Sequence, residues 1–375
     1  MLINLFYPLL VLLAAVLIAY LLSENQELKK LISDPNFNKQ QATIAFNKAE
    51  DWRREKIALI YDNVTDEELD KAKRWLSYAN PFSPDKSCVS CLGKWKTNTS
   101  IIELYENIKK VWAQNFFWDE TCRKSYLTLH AFHTTGIEGN TLTLSETALI
   151  VNGQPLFAGF KDELNPPLTQ NSLREVKNIK RIIDALKFSS PPTQEPAFIF
   201  NKQTLVDINS AIIDNLSSTG FRRHPVAVGH QLIVLPMPDE VDYLVTMYIN
   251  WLNKQIEVFS ESLRKDDLDY SEIFLNILSI ACDAHTRFVH IHPFSDGNGR
   301  LARIISGMVL RNVLLPMPMF SKEERHIYIS SVSKATIDGD HSPICLLHYN
   351  AVKRSISAML ELSSNNCSLK SSDNY

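Results

Sequence analysis

The chain has 375 residues, 45% hydrophobic and 22% charged, which excludes wholesale disorder and leaves room for one large core or two modest ones. With 39 Lys and Arg against 42 Asp and Glu the net charge is -3, so no overall basic field invites nucleic acid, and any polyanion must be met by a local site. Eleven Gly, 17 Pro and six Cys exclude collagen-like material and a disulfide-built scaffold.

The first element is a run from Leu2 to Leu22 with no charge, interrupted in polarity only by Asn4 and Pro8. About 20 apolar residues suffice to span a bilayer as a helix, so residues 1–23 are expected to be an uncleaved membrane anchor. A cleaved leader would show a basic start, a shorter apolar stretch and a small-residue cleavage site. Flanking charge leaves the orientation open, because Lys29 and Lys30 are offset by Glu24 and Glu27. Asn63, Asn98, Asn215 and Asn366 each stand in a glycosylation acceptor pattern, usable only if the body is lumenal.

Residues 24–84 follow. From Gln40 to Ala79 they are rich in Ala, Glu, Lys, Leu and Trp with no Gly or Pro, and Ala45, Ala49, Trp52 and Ala72, Trp75, Leu76, Ala79 recur at helical spacing. The expectation is a helical hairpin turning near Asn63; Leu59, Ala72, Ala79 and Pro84 fit part of the tetratricopeptide pattern, whose first helix lacks its small residue and aromatic. Residues 85–115 read as a linker and the start of a helical pattern that runs from Ile101 to His133. Cys88 and Cys91 form a C-x-x-C without a second pair, which reads as a local disulfide or free thiols.

Loops are expected at Asn165-Pro166-Pro167 and from Ser189 to Pro196. Between and after them, Ser172–Phe188, Lys202–Leu216 and Asp239–Ile256 are amphipathic, and Ile273–Val289 is an apolar helix. Only Val226–Leu235, bounded by Pro225 and Pro236, reads as extended, with Gly229-His230 able to turn it into a hairpin. The body is therefore all-α with one short β excursion, and residues 363–375 are expected to be a disordered tail.

Chemistry concentrates in His292-Pro293-Phe294-Ser295-Asp296-Gly297-Asn298-Gly299-Arg300-Leu301-Ala302-Arg303, between the helix ending near Val289 and one running to Leu315. Gly297 and Gly299 at a helix start let an anion reach backbone N–H groups, where the helix dipole favours negative charge. Arg300 and Arg303 add planar cationic forks suited to phosphate. Asp296 is a carboxylate of the kind that shares magnesium with substrate phosphates. His292, with an ordinary pKa near 6.5, is the natural acceptor of a hydroxyl proton at neutral pH. A plain helix–turn–helix explains any one of these residues, but not all of them within twelve positions.

This segment resembles the signature of the Fic family, His-x-Phe-x-(Asp/Glu)-Gly-Asn-Gly-Arg-x-x-Arg, and meets every specified position. The resemblance implies transfer of AMP from ATP, with Mg2+ or Mn2+, to a protein hydroxyl. It implies His292 as general base and Asp296 as metal ligand. Gly297, Asn298, Gly299 and Arg300 would hold the α and β phosphates, and Arg303 the γ phosphate.

A second match is Thr134-Thr135-Gly136-Ile137-Glu138-Gly139, which resembles the family's inhibitory motif, so Thr134, Glu138 and Gly139 would form a brake. The physical content is that the Glu138 carboxylate would pair with Arg303 and deny it to the γ phosphate. A third match, Gly220-Phe221-Arg222 with Val226, Val228, Gly229 and His230, resembles the flap that grips the target backbone, and Tyr328 falls where the family approaches adenine. Over residues 116–362 the chain is most similar to the endoplasmic-reticulum type of Fic adenylyltransferase. That implies a single-pass protein with its body in the lumen, an endoplasmic-reticulum Hsp70 chaperone as target and no nucleic-acid partner, and it allows a homodimer. Two departures stand out: Tyr328 is followed by Ile329 where a second Tyr is expected, and the flap is two residues longer.

Three rivals remain at this point. Glu138 could orient a water, making the enzyme chiefly de-AMPylating. The body could be a silent, membrane-tethered helical adaptor. A metal hydrolase built on His290 and His292 would lack further ligand spacing.

Overall fold

The computed structural model describes residues 119–154, 166–188, 198–214, 220–224, 238–264, 270–313, 315–337 and 340–369, with single positions or pairs at 103–104, 106–107, 226 and 235–236. The expected anchor, the helical hairpin of residues 24–84, Cys88-Cys91 and most of the expected extended segment 226–235 lie outside these residues. Among the described residues no helix is long and apolar enough to cross a membrane.

What is described is helical, as the sequence predicts, with no strand among these residues. The helices are α1 Glu120–Ile137, α2 Leu144–Val151, α3 Pro166–Ala185, α4 Lys202–Ile213, α5 Pro238–Arg264, α6 Tyr270–Ile291, α7 Asn298–Arg311, α8 Arg325–Ile337 and α9 Ser342–Ser364. A single 3-10 turn, Lys322–Glu324, precedes α8.

Local chemistry sets several ends. Asp119 is extended at φ -84° and accepts hydrogen bonds from the Thr121 and Cys122 N–H groups, so α1 begins there and the expected run from Ile101 to His133 is broken at Asp119. At the other end Gly139 takes φ 103° and the Asn140 N–H reaches back to the Thr135 carbonyl, which closes the helix. Helix α2 carries a capping box of Thr143 and Glu146. Pro166 and Pro167, expected in a loop, instead open α3, because a missing N–H costs nothing in a first turn.

Helix α6 is the centre. Leu278, Ala281, Ala284 and Phe288 are fully buried, and α5, α7, α8 and α9 all pack against it. Helix α7 is buried around its whole circumference, its apolar side filled by Leu301, Ile304, Ile305 and Val309. It also buries Arg300 and Arg303, which a core tolerates only with partners. Helix α1 lies against α2, α3 and the 3-10 turn, so its C-terminal end meets the N-terminal end of α7. The boundary expected at residue 363 falls inside α9, and a disulfide joins Cys367, just beyond that helix, to Cys122 in the first turn of α1.

Candidate active site

The turn between α6 and α7 is held from both sides. Phe294 is fully buried, its ring 5.3 Å from that of Phe221 and 6.3 Å from that of Phe288. Asn298 clamps the turn with its own side chain: Oδ1 accepts from the Phe294 N–H at 3.0 Å and Nδ2 donates to the Phe294 carbonyl at 2.8 Å. Gly297 stands at φ 82°, and a Cβ there would lie 2.7 Å from Asn209 Nδ2, which donates to the Asp296 carbonyl. Both the backbone angle and the close approach of α4 require glycine.

His292 sits at φ 48°, a left-handed backbone that a non-glycine residue adopts only under constraint. The constraint is Arg222. Its Nε donates to the His292 carbonyl at 2.7 Å and its Nη2 to the Pro236 carbonyl at 2.5 Å, while its backbone N–H donates to the Pro293 carbonyl at 2.9 Å. Burial brings the Arg222 pKa down to about 10, leaving it charged at neutral pH. On the imidazole, Nδ1 lies 3.2 Å from the Val289 carbonyl, which can only accept, so Nδ1 carries the proton and Nε2 is the free base. Burial brings the His292 pKa down to about 4, opposed by the Val289 hydrogen bond, which keeps the ring neutral at pH 7.

The first turn of α7 has no side-chain cap, so its leading N–H groups are available to an anion. The Glu138 carboxylate lies over this end: a Cβ on Gly299 would fall 2.7 Å from Glu138 Oε1. That same oxygen accepts from Arg303 Nη2 at 2.7 Å. Arg303 is also held by Thr134, Nε donating to its hydroxyl and Nη2 to its carbonyl, both at 2.9 Å. Its Nη1 donates to the Tyr328 hydroxyl at 3.1 Å, which lies 2.8 Å from His285 Nε2. Burial pushes the His285 pKa well below its ordinary value, so the neutral ring accepts the tyrosine proton. Arg303 therefore has every donor nitrogen engaged.

Arg300 turns the other way, to Glu175 Oε1 at 3.1 Å and Asp296 Oδ1 at 3.0 Å. Asp296 Oδ1 also accepts from the Gly297 N–H at 2.6 Å, and Oδ2 has no hydrogen bond among the described residues.

The structure thus brings His292, Asp296, Gly297, Asn298, Gly299, Arg300, Arg303, Thr134 and Glu138 into one site. The Asn298 side chain closes the turn rather than pointing at an anion, and the Tyr328 hydroxyl supports Arg303 from within the core. Val226 is half-buried against the core, and Val228, Gly229 and His230 lie outside the described residues. Glu175, Asn209 and His285 were not singled out from the sequence, because each is one polar residue among several on its helix and belongs to no motif. Nor did the sequence reveal that Arg222, seen there only as part of the flap pattern, is the anchor of the His292 turn. The sole group of three ligating side chains in mutual reach among the described residues is Asp119, Cys122 and Cys367, so His290 and His292 have no third ligand there.

The family model described as Fic/DOC family matches residues 199–310, which contain the whole turn and α7. Among curated proteins, the chain is 26% identical over 234 residues to a protein adenylyltransferase Fic of Culex quinquefasciatus, covering 62% of this chain and 41% of that one. A protein of the same name from Drosophila willistoni is 29% identical over 217 residues, covering 57% and 38%. The chain spans about two-fifths of the length of these relatives. Among solved structures, a Fic domain-containing signaling protein from Bacteroides thetaiotaomicron superposes with a TM-score of 0.55 at 19% identity, over 72% of this chain and all of that one. Residues 134–508 of Fic-1 from C. elegans superpose with a TM-score of 0.51 at 18% identity, over 88% and 94%. The twelve-residue turn, the helices that hold it and these likenesses agree: residues 199–310 are similar to the Fic/DOC family, and the described helices share the fold of solved Fic domains.

Proposed function

We propose that the chain is a protein adenylyltransferase that moves AMP from ATP to a Ser or Thr hydroxyl of a protein and is restrained by Glu138. The observation that carries this reading is the Glu138 carboxylate bonded to Arg303 above an uncapped helix start, with a neutral imidazole in the same turn.

The residues fit a magnesium nucleotide. Asp296 presents one oxygen free of hydrogen bonds among the described residues, and Gly299 offers a surface that any Cβ would fill. A bound magnesium or manganese ion would neutralise phosphate charge there. In the reaction His292 Nε2 accepts the proton of the hydroxyl that attacks the α phosphorus of ATP, the bond from that phosphorus to the β-phosphate oxygen breaks and pyrophosphate leaves, while Nδ1 stays on the Val289 carbonyl. The first-turn N–H groups of α7 bear the charge of the phosphates, and Arg303, once released, holds the distal phosphate. With Glu138 in place the distal phosphate meets a carboxylate instead.

A second activity is supported by one detail. Glu138 uses only Oε1, and Oε2 has no hydrogen bond among the described residues, so it can orient a water for removal of AMP. For location, we propose a single-pass protein with its body in the endoplasmic-reticulum lumen and an Hsp70 chaperone there as target. The Cys122–Cys367 disulfide supports an oxidising compartment.

The test is incubation of the full chain with labelled ATP, Mg2+ and an endoplasmic-reticulum Hsp70, with and without Glu138→Gly. Label on the chaperone in the variant supports the reading; its absence from the chaperone and from every other protein present in both samples defeats it.

A further inference from the structure

Arg300 is the second buried cation of the site, and its surroundings differ from those of Arg303. Its side chain is 4% exposed and bridges two carboxylates, Glu175 on α3 and Asp296 in the turn. Glu175 lies 125 residues upstream and its side chain is itself only 20% exposed. Its second oxygen, Oε2, accepts from Asn140 Nδ2 at 2.9 Å, and the same Nδ2 donates to the Ser172 carbonyl at 3.0 Å. Asn140 in turn accepts from the Leu142 N–H, which fixes it directly behind Glu138 and Gly139. A continuous chain of contacts therefore runs Asn140, Glu175, Arg300, Asp296.

Electrostatics explain why the chain needs its middle member. A guanidinium this buried is costly without a counter-charge, and Asp296, half exposed, is a weak one. Burial pushes the Glu175 carboxyl up, opposed first by Arg300 and then by the Asn140 hydrogen bond. The effect appears at Asp296. Its Oδ1 is taken twice, by Arg300 Nη2 and by the Gly297 N–H, which leaves Oδ2 alone unengaged among the described residues.

We propose that Glu175 is a positioning residue for the metal-binding carboxylate: through Arg300 it fixes Asp296 with one oxygen committed and one presented, and through Asn140 it ties that carboxylate to the segment bearing Glu138. This rests on the reading of Asp296 as a ligand of the nucleotide's divalent ion. Removing Glu175 loosens Arg300 and lets Asp296 rotate, so the metal suffers while the backbone cradle, built by α7 and the clamps on the turn, does not.

The experiment uses the full chain with Glu138→Gly as parent, so that nucleotide has access. Mn2+ binding in the presence of ATP is followed by electron paramagnetic resonance of the free ion, and ATP binding without metal by calorimetry in EDTA. Glu175→Ala is expected to weaken Mn2+ at least tenfold and leave metal-free ATP affinity within threefold of the parent. Glu175→Gln, which keeps an acceptor for Arg300, is expected to fall between the two, and it carries the same test if the alanine variant does not fold. Unchanged Mn2+ affinity overturns the proposal. So does tighter binding of ATP or Mn2+, which would make Glu175 a second brake, and so does an equal loss of both, which would make its role merely structural. A parent that binds neither ATP nor Mn2+ with ATP would instead remove the proposed nucleotide site, and that result is read from the parent alone.

Discussion

At the scale of single residues, His292 and Arg303 are both defined by what surrounds them. Burial holds the His292 pKa near 4, so its neutral form should persist far into acid, and transfer should fall along a limb with an apparent pKa near 4 rather than near 6.5. Rates of AMP transfer by Glu138→Gly between pH 4 and 8 check this, since a limb centred on 6.5 would mean an exposed imidazole. His292→Ala should lower transfer by about 10²- to 10⁴-fold, while ATP binding stays within threefold, because the proposed role of the ring is on the hydroxyl and not on the nucleotide. Arg303 is held by Thr134 and Tyr328 as well as by Glu138, so removing the carboxylate leaves the guanidinium oriented and changes only what it faces. Thr134 and Glu138 were visible in sequence because a motif names them. Tyr328 was visible only as a neighbour of adenine; that its hydroxyl meets Arg303 depends on how α8 packs against α6, which no local pattern records.

Elements carry a second set of consequences. The turn before α7 depends on Arg222, so Arg222→Lys, which cannot bond the His292 and Pro236 carbonyls at once, should lower Tm by several degrees. It should also lower kcat more than nucleotide affinity, because the residue it releases is the proposed base; equal losses in both would contradict this. Asp119→Ala removes the cap of α1 and should cost about 1 kcal/mol, read from urea unfolding. The helices were largely legible in chain order, since apolar residues recur at helical spacing from Ser172 to Leu315. Their starts were less so. Pro166 and Pro167 looked like a loop because proline marks both loops and first turns, and Asp119 broke a run that periodicity alone carried through. Glu175 and Asn209 escaped for a different reason: one polar residue among several on an amphipathic helix is ordinarily a solvated or satisfied side chain, and only the packing of α3 and α4 on the turn gives these two a task.

Over the whole molecule, covalent and electrostatic ties join distant parts of the chain. The Cys122–Cys367 bond spans 245 residues and links the first turn of α1 to the end of α9; no sequence feature pairs these two cysteines out of six. Cys122→Ser with Cys367→Ser should destabilise the fold by about 3–5 kcal/mol, seen as a lower Tm that reductant no longer changes. Buried histidines add a pH dependence. Burial lowers His130 to about 3 and His133 and His348 to about 4, so each binds a proton more readily unfolded than folded. Their contribution is complete above the unfolded value near 6.5 and is lost as pH falls toward 4, so urea midpoints should drop steadily from pH 6.5 to 4.5; a flat profile would mean these rings are solvated. The pairing of Glu138 with Arg303 crosses 165 residues, and the proposed brake depends on it. Breaking one charge-assisted contact of this kind is worth about 1.5–3 kcal/mol, or about ten- to 150-fold in the population of the productive nucleotide pose. The most direct measurement is AMP transfer and AMP removal by Glu138→Gly on the same chaperone substrate, with the Arg303→Ala double variant beside it. Transfer should rise by about that factor, removal should be lost, and no gain should remain once Arg303 is absent; transfer and removal both unchanged in Glu138→Gly would contradict a brake at Glu138.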